Sequence, residues 1–439
     1  MSPSNKRKVF YTIYFALLLL PVVAMLLSGK LTGNFVREFA LLIGFLGMAL
    51  AGIQLIFIGK IRWLADALDL DKVYSNHHKI SLVAVFLIVA HFLLVSLLAP
   101  VRFGFLNVFS APWMFAAGSL GLFGLVLIGI TSAYRKNLKI DYRVWLLIHD
   151  LLTIVILVFG MTHLFKVDYY MADPFVRAVW YLEIAVWVVA FLYIRVIKPI
   201  QVGRKPYKVV SVLEEAPQTY GLNLVPDGHA GVPFRAGQIA WISTGPSPFT
   251  LSRNPFSYSG SSEAPNGAIR FSIKVAGDFT ATIPNLKPGD RVYVDGPYGT
   301  YNLDDPALQK GVVLIAGGIG VAPVMSIMNT LTDRNDNRPV YVFYGDLNED
   351  TALYPQEFEH CKSVINLKFF QVLEKPHDPN YPFKGYITKD LMLANLPENY
   401  KELHYFICGP APMLRALEKH FAAMEIPESQ IHLENYTMA

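Results

Sequence analysis

Residues 75–94 read SNHHKISLVAVFLIVAHFLL, an apolar run with histidines at both ends. A second run, LLIHDLLTIVILVFGMTHLF at residues 146–165, repeats this arrangement with His149 and His163. An ionisable side chain inside a membrane segment costs roughly 2 to 3 kcal/mol on insertion scales, so such residues are functional candidates. The two runs therefore indicate both the fold class and a first candidate site.

Fourteen residues separate the two histidines of each run, His77 from His91 and His149 from His163. This spacing is about 21 Å along an α-helix and completes nearly four turns, so both histidines lie near one helix face. His78 is thirteen residues from His91 and would point away from that face. We therefore favour His77 as the ligand and keep His78 as the alternative.

The composition indicates that the chain is partly embedded in a membrane. Of its 439 residues, 53% are hydrophobic and only 16% charged, and the mean hydropathy is +0.36. The apolar runs lie in residues 1–200, whereas the rest alternates polar and apolar residues in short periods, as in a globular domain. Cys361 and Cys408 are far apart in the second half, so we expect neither a disulfide scaffold nor a cysteine metal site.

Six stretches are long enough to cross a hydrocarbon core about 30 Å thick. They are residues 9–27, 35–58, 81–98, 113–133, 144–165 and 176–197. The first stretch follows three basic residues like a secretory signal, but it lacks a good cleavage site, so we expect a retained helix. Lysine and arginine concentrate on the side of the bilayer that carries the N-terminus and the second half. We expect an integral protein of the cell membrane with both termini in the cytoplasm.

The four histidines are best explained as ligands of two prosthetic groups. If the third and fifth helices face each other, both starting on the cytoplasmic side, His77 pairs with His149 and His91 with His163. A divalent metal would usually add a carboxylate or a cysteine, and Asp150 is the only acid close by. Haem iron needs only two axial ligands, so the pattern predicts two b-type haems. A hydrogen-bonded packing role is the alternative for any single histidine.

The second half contains two kinds of domain. Residues 205–305 read as short strands between turns and predict a small β-barrel. Residues 306–439 contain GVVLIAGGIGVAPVMSIM from residue 311 and continue as alternating strands and helices, which predicts an open α/β sheet. Glycines in the first turn would let the backbone approach a pyrophosphate at a helix N-terminus. A tight strand-to-helix turn is the alternative, since Pro323 replaces the last glycine of the G-x-G-x-x-G pattern.

In this order the elements resemble the flavocytochrome superfamily of NADPH oxidases and ferric reductases, which fuses a six-helix haem domain to a ferredoxin-reductase-like module. The resemblance covers nearly the whole chain. It rests on NPFS at 254–257, IKVAGDFT at 273–280, VDGPYG at 294–299, AGGIGVAP at 316–323 and CGP at 408–410. The family segment HPFS has a histidine where this chain has Asn254, so the usual polar contact to the flavin would come from Asn254 or Arg253.

The resemblance also implies site residues for FAD and for the nicotinamide nucleotide. Those implied for FAD are Arg253, Asn254, Pro255, Phe256, Ser257, Lys274, Gly277, Phe279, Thr280, Gly296 and Pro297. Those implied for the nucleotide are Gly317, Gly318, Gly320, Pro323, Gly409 and Pro410, with Cys408 near the hydride path. In the closing strand HLENYTMA, Tyr436 is expected to cover the flavin ring. A plain turn at Gly296, a buried small residue at Cys408 and ordinary packing at Tyr436 are the alternatives.

The choice between NADH and NADPH depends on the residues after the second strand of the α/β sheet. In many relatives an arginine there binds the 2′-phosphate of NADPH, because guanidinium geometry suits phosphate. Here VYVFYG is followed by DLNEDTALY, with acids at Asp346, Glu349 and Asp350 and no arginine. Acids repel a phosphate and can accept a hydrogen bond from a ribose hydroxyl. We expect NADH or the use of both nucleotides.

The expected function is electron transfer from NAD(P)H through FAD and two haems to dioxygen on the outer side, which yields superoxide. A ferric chelate is the alternative acceptor, and a membrane cytochrome module that feeds a partner protein or a quinone is the alternative from another class. The flavin and nucleotide motifs disfavour a transporter. We expect the lipid membrane as surroundings, no nucleic acid as partner, and no obligatory regulatory subunit.

Overall fold

Six long apolar helices form the first half of the protein. The structure, a computed structural model, describes residues 3–59, 61, 70–250, 253–299 and 303–434. All six helices are long and apolar enough to cross a membrane, which confirms the number of predicted spans. They are α1 (Pro3–Leu27), α2 (Phe35–Phe57), α3 (Leu70–Leu98), α4 (Trp113–Tyr134), α5 (Tyr142–Val167) and α6 (Pro174–Leu192).

Helix α3 begins earlier than its apolar run. The sequence places its start near Ser81, but the helix begins at Leu70. Backbone hydrogen bonds continue through polar residues as readily as through apolar ones, so an apolar run marks the lipid-facing part of a helix and not its ends. The early start places His77 inside a regular helix.

Helix α6 ends in an irregular turn. Its last regular residue is Leu192, and a π-helical turn at Tyr193–Ile197 joins it to the short helix α7 (Lys198–Gly203). At the start of α6, the Asp173 side chain accepts hydrogen bonds from two backbone N–H groups, of Phe175 and Val176. A carboxylate at this position stabilises the first turn of a helix.

Helix α2 packs at the centre of the bundle. Its Phe45 ring contacts the Trp180 ring of α6 edge to face at 5.4 Å, and its Met48 lies against Gly160 of α5. Small residues bring α4 and α5 together, where a Cβ on Gly121 would lie 3.4 Å from the backbone nitrogen of Gly160. Close backbone approach at small residues is typical of helices packed in membranes.

The second half of the chain begins with an antiparallel β-barrel. Its strands are arranged in the order β4-β3-β6-β1-β2-β5, and Tyr258, directly after β4, bridges Phe271 of β5 and so closes the sheet. The strands are β1 (Tyr207–Ala216), β2 (Thr219–Pro226), β3 (Ile239–Thr244), β4 (Asn254–Ser257), β5 (Ile269–Lys274) and β6 (Arg291–Tyr298). The predicted barrel is confirmed.

A parallel five-stranded sheet follows, as the alternating pattern predicts. Its order is β11-β10-β7-β8-β9, so the chain reverses its direction of winding between β7 and β10. Its strands are β7 (Val312–Gly317), β8 (Val340–Asp346), β9 (Leu367–Leu373), β10 (His404–Cys408) and β11 (Ile431–Glu434). Its helices are α8 (Val321–Asp333), α9 (Pro355–Val364), α10 (Lys389–Asn395) and α11 (Ala411–Ala423).

The barrel and the α/β sheet share a polar interface. Arg270 of β5 pairs with Glu215 of β1 and lies 3.4 Å from a carboxylate oxygen of Glu357 on α9. The Tyr354 hydroxyl, next to α9, donates to Ser272 of β5, and burial raises the pKa of Tyr354 above its usual range. Within the described residues the chain divides into two compact units, of which the first ends at Pro199 and the second begins at Ile200.

Candidate functional site

The first histidine pair, His77 and His149, connects helices α3 and α5. The two ring centroids lie 6.4 Å apart with an interplanar angle of 62°. Nδ1 of His77 lies 3.1 Å from Oε1 of Gln54 on α2, and Nδ1 of His149 lies 3.5 Å from Oγ of Ser132 on α4. Because an amide oxygen only accepts hydrogen bonds, His77 donates through Nδ1. Each ring is therefore oriented by a neighbouring helix.

The second histidine pair, His91 and His163, is oriented by backbone carbonyls. Nδ1 of His91 donates to the carbonyl of Ala40 on α2 at 2.8 Å. Nδ1 of His163 donates to the carbonyl of Met114 on α4, also at 2.8 Å. A histidine that donates through Nδ1 presents Nε2 as its coordinating nitrogen, which is the usual arrangement in metal sites.

Two glycines make these carbonyl bonds possible. A Cβ on Gly44 would lie 2.6 Å from Nδ1 of His91, and a Cβ on Gly118 would lie 2.8 Å from Nδ1 of His163. Both distances are shorter than real carbon–nitrogen contacts, so only glycine lets each ring approach the helix behind it.

Sequence reasoning missed these second-pair contacts, although a signal exists. Ala40, Gly44 and Gly47 on α2 recur at the same spacing 74 residues later as Met114, Gly118 and Gly121 on α4. The helix hairpins α2–α3 and α4–α5 thus carry the same pattern of carbonyl, glycine and histidine. A search for an internal repeat would have found it.

The residues present match a planar group held by two imidazoles. If two imidazoles bind one metal from opposite sides with metal–nitrogen bonds of about 2 Å, their ring centroids lie roughly 6 Å apart. The centroid separation of the His77 and His149 rings agrees with this distance. The two histidine-bearing helices are also the least buried, with 11% of the most apolar stretch buried in each, against 28% to 61% in the other four. Within the described residues, no cluster of three or more histidines, cysteines or acids could hold a metal by itself.

The neighbours of the first histidine pair have other partners. His78, the alternative ligand, is exposed. Asp150, next to His149, forms an ion pair with Arg195, which lies on the π-helical turn after α6. Asp150 is thus part of a charge pair, and the arrangement leaves the histidine rings as the groups suited to coordination.

An aromatic stack lies beside the second histidine pair. The Phe115 ring of α4 is 6.2 Å from the His163 ring, and Phe105 stacks on Phe115 at 4.6 Å and 15°. Phe105 lies in a 3-10 helix between α3 and α4, Pro100–Leu106. The Ser119 hydroxyl donates to the Phe105 carbonyl at 2.9 Å and anchors this segment. The Phe105–Phe115 stack therefore forms an apolar wall beside His163.

In the barrel, Arg253 connects two of the flavin motifs. One of its guanidinium nitrogens lies 3.7 Å from a carboxylate oxygen of Asp295, in the VDGPYG segment, and another donates to the Pro248 carbonyl at 2.6 Å. The Tyr298 hydroxyl donates to the second oxygen of Asp295 at 2.6 Å. Arg253 therefore links the start of the NPFS strand β4 to the VDGPYG strand β6, across the strand β3 that lies between them.

The residue that replaces the family histidine has an unused donor. Nδ2 of Asn254 is buried and has no hydrogen-bond partner in the described part of the chain. A buried amide donor without a partner is costly unless a ligand satisfies it. Two residues on, Phe256 stacks with Phe279 at 6.0 Å. This supports a polar ligand at Asn254 and an apolar wall beside it, as a flavin requires. Pro255 and Ser257 are in the same strand.

The other flavin motifs take up the following places. Lys274 ends β5 and is exposed, and the Thr280 hydroxyl closes the adjacent loop by accepting hydrogen bonds from the N–H groups of Ala276 and Gly277. A Cβ on Gly277 would contact nothing within 4 Å, whereas one on Gly296 would lie 2.6 Å from Ala240, so Gly296 before Pro297 has a packing reason of its own.

The glycine turn of the α/β sheet lies at the point where the winding reverses, the usual ligand crevice of such sheets. Gly318 has a φ of +54° and open space around the position of a Cβ. A Cβ on Gly320 would lie 2.4 Å from the Cys408 carbonyl, so the turn packs directly against the CGP segment of β10. The AGGIGVAP and CGP motifs, which are distant in sequence, thus lie together at one edge of the sheet.

The remaining nucleotide residues flank that edge. Cys408 is buried, Gly409 packs on Met413, and Pro410 precedes the first turn of α11. Gly317 ends β7 and Pro323 is buried in the first turn of α8. Tyr436, expected over the flavin, lies outside the described residues.

Some acids of the loop after β8 have partners within the domain. Asp346 accepts hydrogen bonds from Thr351 at 2.5 Å and from Tyr344 at 2.9 Å, and burial raises the pKa of Tyr344 well above its usual value. Asp350 lies 3.0 Å from Nε2 of His377. The loop presents hydrogen-bond acceptors and a net negative charge.

Two family models match separate parts of the chain. Residues 43–160, which include α3, α4 and most of α2 and α5, match the ferric reductase like transmembrane component. Residues 314–419 match the oxidoreductase NAD-binding domain. The membrane part and the nucleotide part are therefore each similar to a known redox component.

Curated relatives match about a third of the chain or somewhat more. NADH-cytochrome b5 reductase 2 of Phaeosphaeria nodorum is 29% identical over 177 residues, 39% of this chain and 52% of that protein. NADH-cytochrome b5 reductase 2 of Debaryomyces hansenii is 32% identical over 158 residues, 34% of this chain and 52% of that protein. The chain thus spans about half the length of these relatives.

Among solved structures, the ferredoxin reductase in carbazole 1,9a-dioxygenase is 24% identical and matches with a TM-score of 0.46 over 53% of this chain and 69% of that one.

Proposed function

Because the chain joins a ferric-reductase-like transmembrane domain to an FAD- and NAD-binding reductase module, the architecture of NADPH oxidases and ferric reductases, we propose that it transfers electrons from NAD(P)H across the cell membrane to dioxygen. Superoxide is the product. Residues 1–200 are the haem domain, residues 205–305 the FAD-binding barrel and residues 306–439 the NAD(P)H-binding domain. Both termini lie in the cytoplasm.

The observation that carries this proposal is the first histidine pair, with its rings 6.4 Å apart. We assign one haem b to this pair and a second to His91 and His163. A spacing of 14 residues separates the pairs by about 21 Å along the helices, most of the thickness of a bilayer. When bound, FAD converts a hydride into single electrons and haem iron passes them on one at a time.

The chain's own residues bind and orient these groups. Asn254 offers its amide donor to the flavin, and Arg253 is kept beside it by Asp295. Gly318 and the start of α8 receive the pyrophosphate of the nucleotide, with Cys408 next to the hydride path and Tyr436 over the flavin ring. Gln54 orients His77, and the backbone carbonyls of α2 and α4 orient the second pair.

NADH is the favoured donor. The acceptors around Asp346 suit a ribose hydroxyl, and the negative charge of the loop with Glu349 and Asp350 opposes a 2′-phosphate. The names of the curated relatives, which are NADH-cytochrome b5 reductases, point in the same direction.

The Phe105–Phe115 stack supports dioxygen over a ferric chelate as the acceptor. Both rings are apolar and packed face to face at 4.6 Å. A small apolar molecule passes such a barrier through side-chain fluctuation, whereas a charged chelate loses hydration without gaining polar contacts there. Ferric-chelate reduction is the second candidate function, favoured by the match to the ferric reductase like component. Delivery of electrons to a partner protein or a quinone is the third.

The decisive experiment follows NADH and NADPH consumption by the purified full-length protein in detergent with added FAD. Superoxide is measured under air as dismutase-sensitive reduction of cytochrome c, and chelate reduction is measured under argon. We expect dismutase-sensitive reduction without any added partner. Chelate reduction with little superoxide would identify a ferric reductase, and NAD(P)H consumption only with an added partner protein or quinone would contradict both.

A further inference from the structure

Glu183 is a buried acid in the middle of a membrane helix that the proposed function does not use. It lies on α6, is 0% exposed, and neither carboxyl oxygen has a hydrogen-bond partner among the described residues. Acids inside membrane bundles are costly and by default functional candidates. Its neighbours are therefore of interest.

Two tryptophans share the helix face of Glu183. Trp180 is three residues before it and Trp187 four residues after it, so all three side chains lie on one side of α6. The indole nitrogens of both tryptophans are buried without a hydrogen bond of standard geometry among the described residues, and that of Trp187 is oriented toward the Glu183 carboxyl group. One acid and two N–H donors thus lie together on one buried face of α6, which we call the Glu183 pocket.

Helix α2 closes the Glu183 pocket. The Phe45 ring packs edge to face on Trp180 at 5.4 Å, and a Cβ on Gly52 would lie only 2.0 Å from Cε2 of Trp187. The carboxyl group and both tryptophans are thus enclosed between α2 and α6.

The same helix separates the pocket from the histidine pairs. On its other side α2 contacts His91 at Gly44, next to Phe45, and binds His77 through Gln54, two residues after Gly52. Packed helices are about 8 to 10 Å apart. Glu183 is thus about one helix diameter from the histidine sites, close enough for strong electrostatic interaction in a medium of low dielectric.

Charged groups of the surrounding helices have partners elsewhere. In the first turn of α2, Arg37 pairs with Glu38. After the last residue of α6, Arg195 pairs with Asp150 of α5. Tyr14 of α1 and Tyr170, which follows α5, belong to the same buried cluster as the two tryptophans, and Tyr11 packs against it. The basic residues of α1, Lys6, Arg7 and Lys8, lie at its first turns. Among the described ion pairs, none involves Glu183.

We propose that Glu183 is an intramembrane proton-binding site, which takes up a proton when an electron reaches the histidine-bound groups and releases it when the electron leaves. This inference rests on the proposed function. A ferric centre gains one electron and loses one positive charge, and the carboxylate gains one proton from the aqueous phase and becomes a carboxylic acid. The pocket therefore keeps the total charge of the membrane domain constant during each one-electron step.

The physical reason is the cost of an uncompensated charge inside the bilayer. With both iron centres ferric, their positive charges favour an ionised Glu183. After reduction this attraction is lost, and the desolvated carboxylate is more stable as the neutral acid. Uptake of a proton also makes the next electron easier to accept.

The test measures the reduction potentials of the haems in the full-length protein as a function of pH. For the wild type we expect the potential of the haem that is reduced first to fall as pH rises, since the single Glu183 carboxylate takes up one proton with the first electron. In Glu183→Gln, which retains shape and polarity, we expect at least half of this slope to disappear. Glu183→Asp should retain it, and so should the control Glu38→Gln at the end of α2.

A second readout is the infrared difference spectrum between oxidised and reduced protein. The carbonyl stretch of a protonated carboxyl group should appear on reduction of the wild type, shift in Glu183→Asp and vanish in Glu183→Gln. An unchanged pH slope in Glu183→Gln, or no carboxyl band in the wild type, would overturn the proposal. Absence of haem from the purified wild type would instead overturn the function on which it rests.

Discussion

The His77 and His149 rings face each other across 6.4 Å, and Nδ1 of His77 is bound by Gln54 on a third helix. The pair is thus oriented before any ligand arrives, because α2 and α4 support the two rings from behind. A site of this kind binds a planar metal group without moving its backbone.

Replacing one ligand should remove one haem only. In His77→Leu or His149→Leu the purified protein should contain about half of the wild-type haem, because the second pair has its own supports. The pyridine haemochrome assay measures this. His78→Leu is the matched control, since His78 is the adjacent but exposed histidine, and its haem content should equal that of the wild type. Loss of haem in His78→Leu with retention in His77→Leu would reverse the assignment.

The glycines behind the second histidine pair should be as important as the ligands. Gly44→Ala or Gly118→Ala places a carbon within 3 Å of Nδ1 of the facing histidine and should displace the ring. Changes that disturb the hydrogen bond behind a ligand cost about 10- to 100-fold in affinity. Haem retention during dilution in detergent measures the effect. Gly129→Ala on α4 is the control, because a Cβ there meets nothing within 4 Å. Equal retention in all three would refute this role.

Asn254 should contribute to flavin binding through its amide. Asn254→Ala removes a donor that has no partner in the described protein, so we expect about 10-fold weaker FAD binding, the value of one hydrogen bond of about 1.4 kcal/mol. Fluorescence titration of the apoprotein with FAD measures the dissociation constant. Asn254→His, the family residue, should bind as the wild type does. Asn285→Ala, a surface amide, should have no effect, and an unchanged affinity in Asn254→Ala would contradict the prediction.

Gly318 should affect nucleotide binding specifically. Gly318→Ala puts a side chain at a φ of +54°, which costs about 1 to 2 kcal/mol of strain, and also into the space reserved for the pyrophosphate. We expect a raised KM for NADH with FAD content unchanged. Gly228→Ala has a similar strain at a φ of +78° in the barrel and open surroundings. It should lower stability without changing KM, and a similar KM change in both variants would mean that strain alone is responsible.

The Phe105–Phe115 stack should control the choice of acceptor. Phe105→Ala opens the approach to His163, and we expect the ratio of ferric-chelate reduction to superoxide production to rise severalfold. Parallel assays under argon and air give this ratio, and reduction of haem by NADH without acceptor shows that electron delivery is intact. Phe109→Ala is the control, because that ring is 97% exposed. An unchanged ratio in Phe105→Ala would remove the stack from the access route.

Local patterns in the sequence predicted the elements well. Apolar length identified six spans, and the change to short alternation identified the barrel and the parallel sheet. The start of α3 was harder to predict. The helix begins at Leu70 and its first turns are polar, so a hydropathy pattern does not reveal them.

Contacts between distant residues were harder to predict. The ion pair between Arg253 and Asp295 and the position of Gly44 behind His91 depend on helix rotation and strand order, which one sequence does not encode locally. Glu183 was visible as the one acid in the sixth apolar run, yet its significance depends on its burial with two indoles, which only the folded structure shows.

The two histidine pairs differ in how directly a substitution can change the group that accepts their hydrogen bond. The first pair is oriented by the side chain of Gln54, which a single codon change replaces, whereas the acceptors at Ala40 and Met114 are carbonyls that every amino acid provides. A substitution at Gln54 can therefore change the basicity of the first pair directly, while the acceptors of the second pair change only if the helix backbone or the glycines at 44 and 118 change. The reduction potential at the second pair, where an electron would leave the membrane, is therefore constrained by the helix backbone. The potential at the first pair, where the electron would enter, can be changed by replacing one side chain.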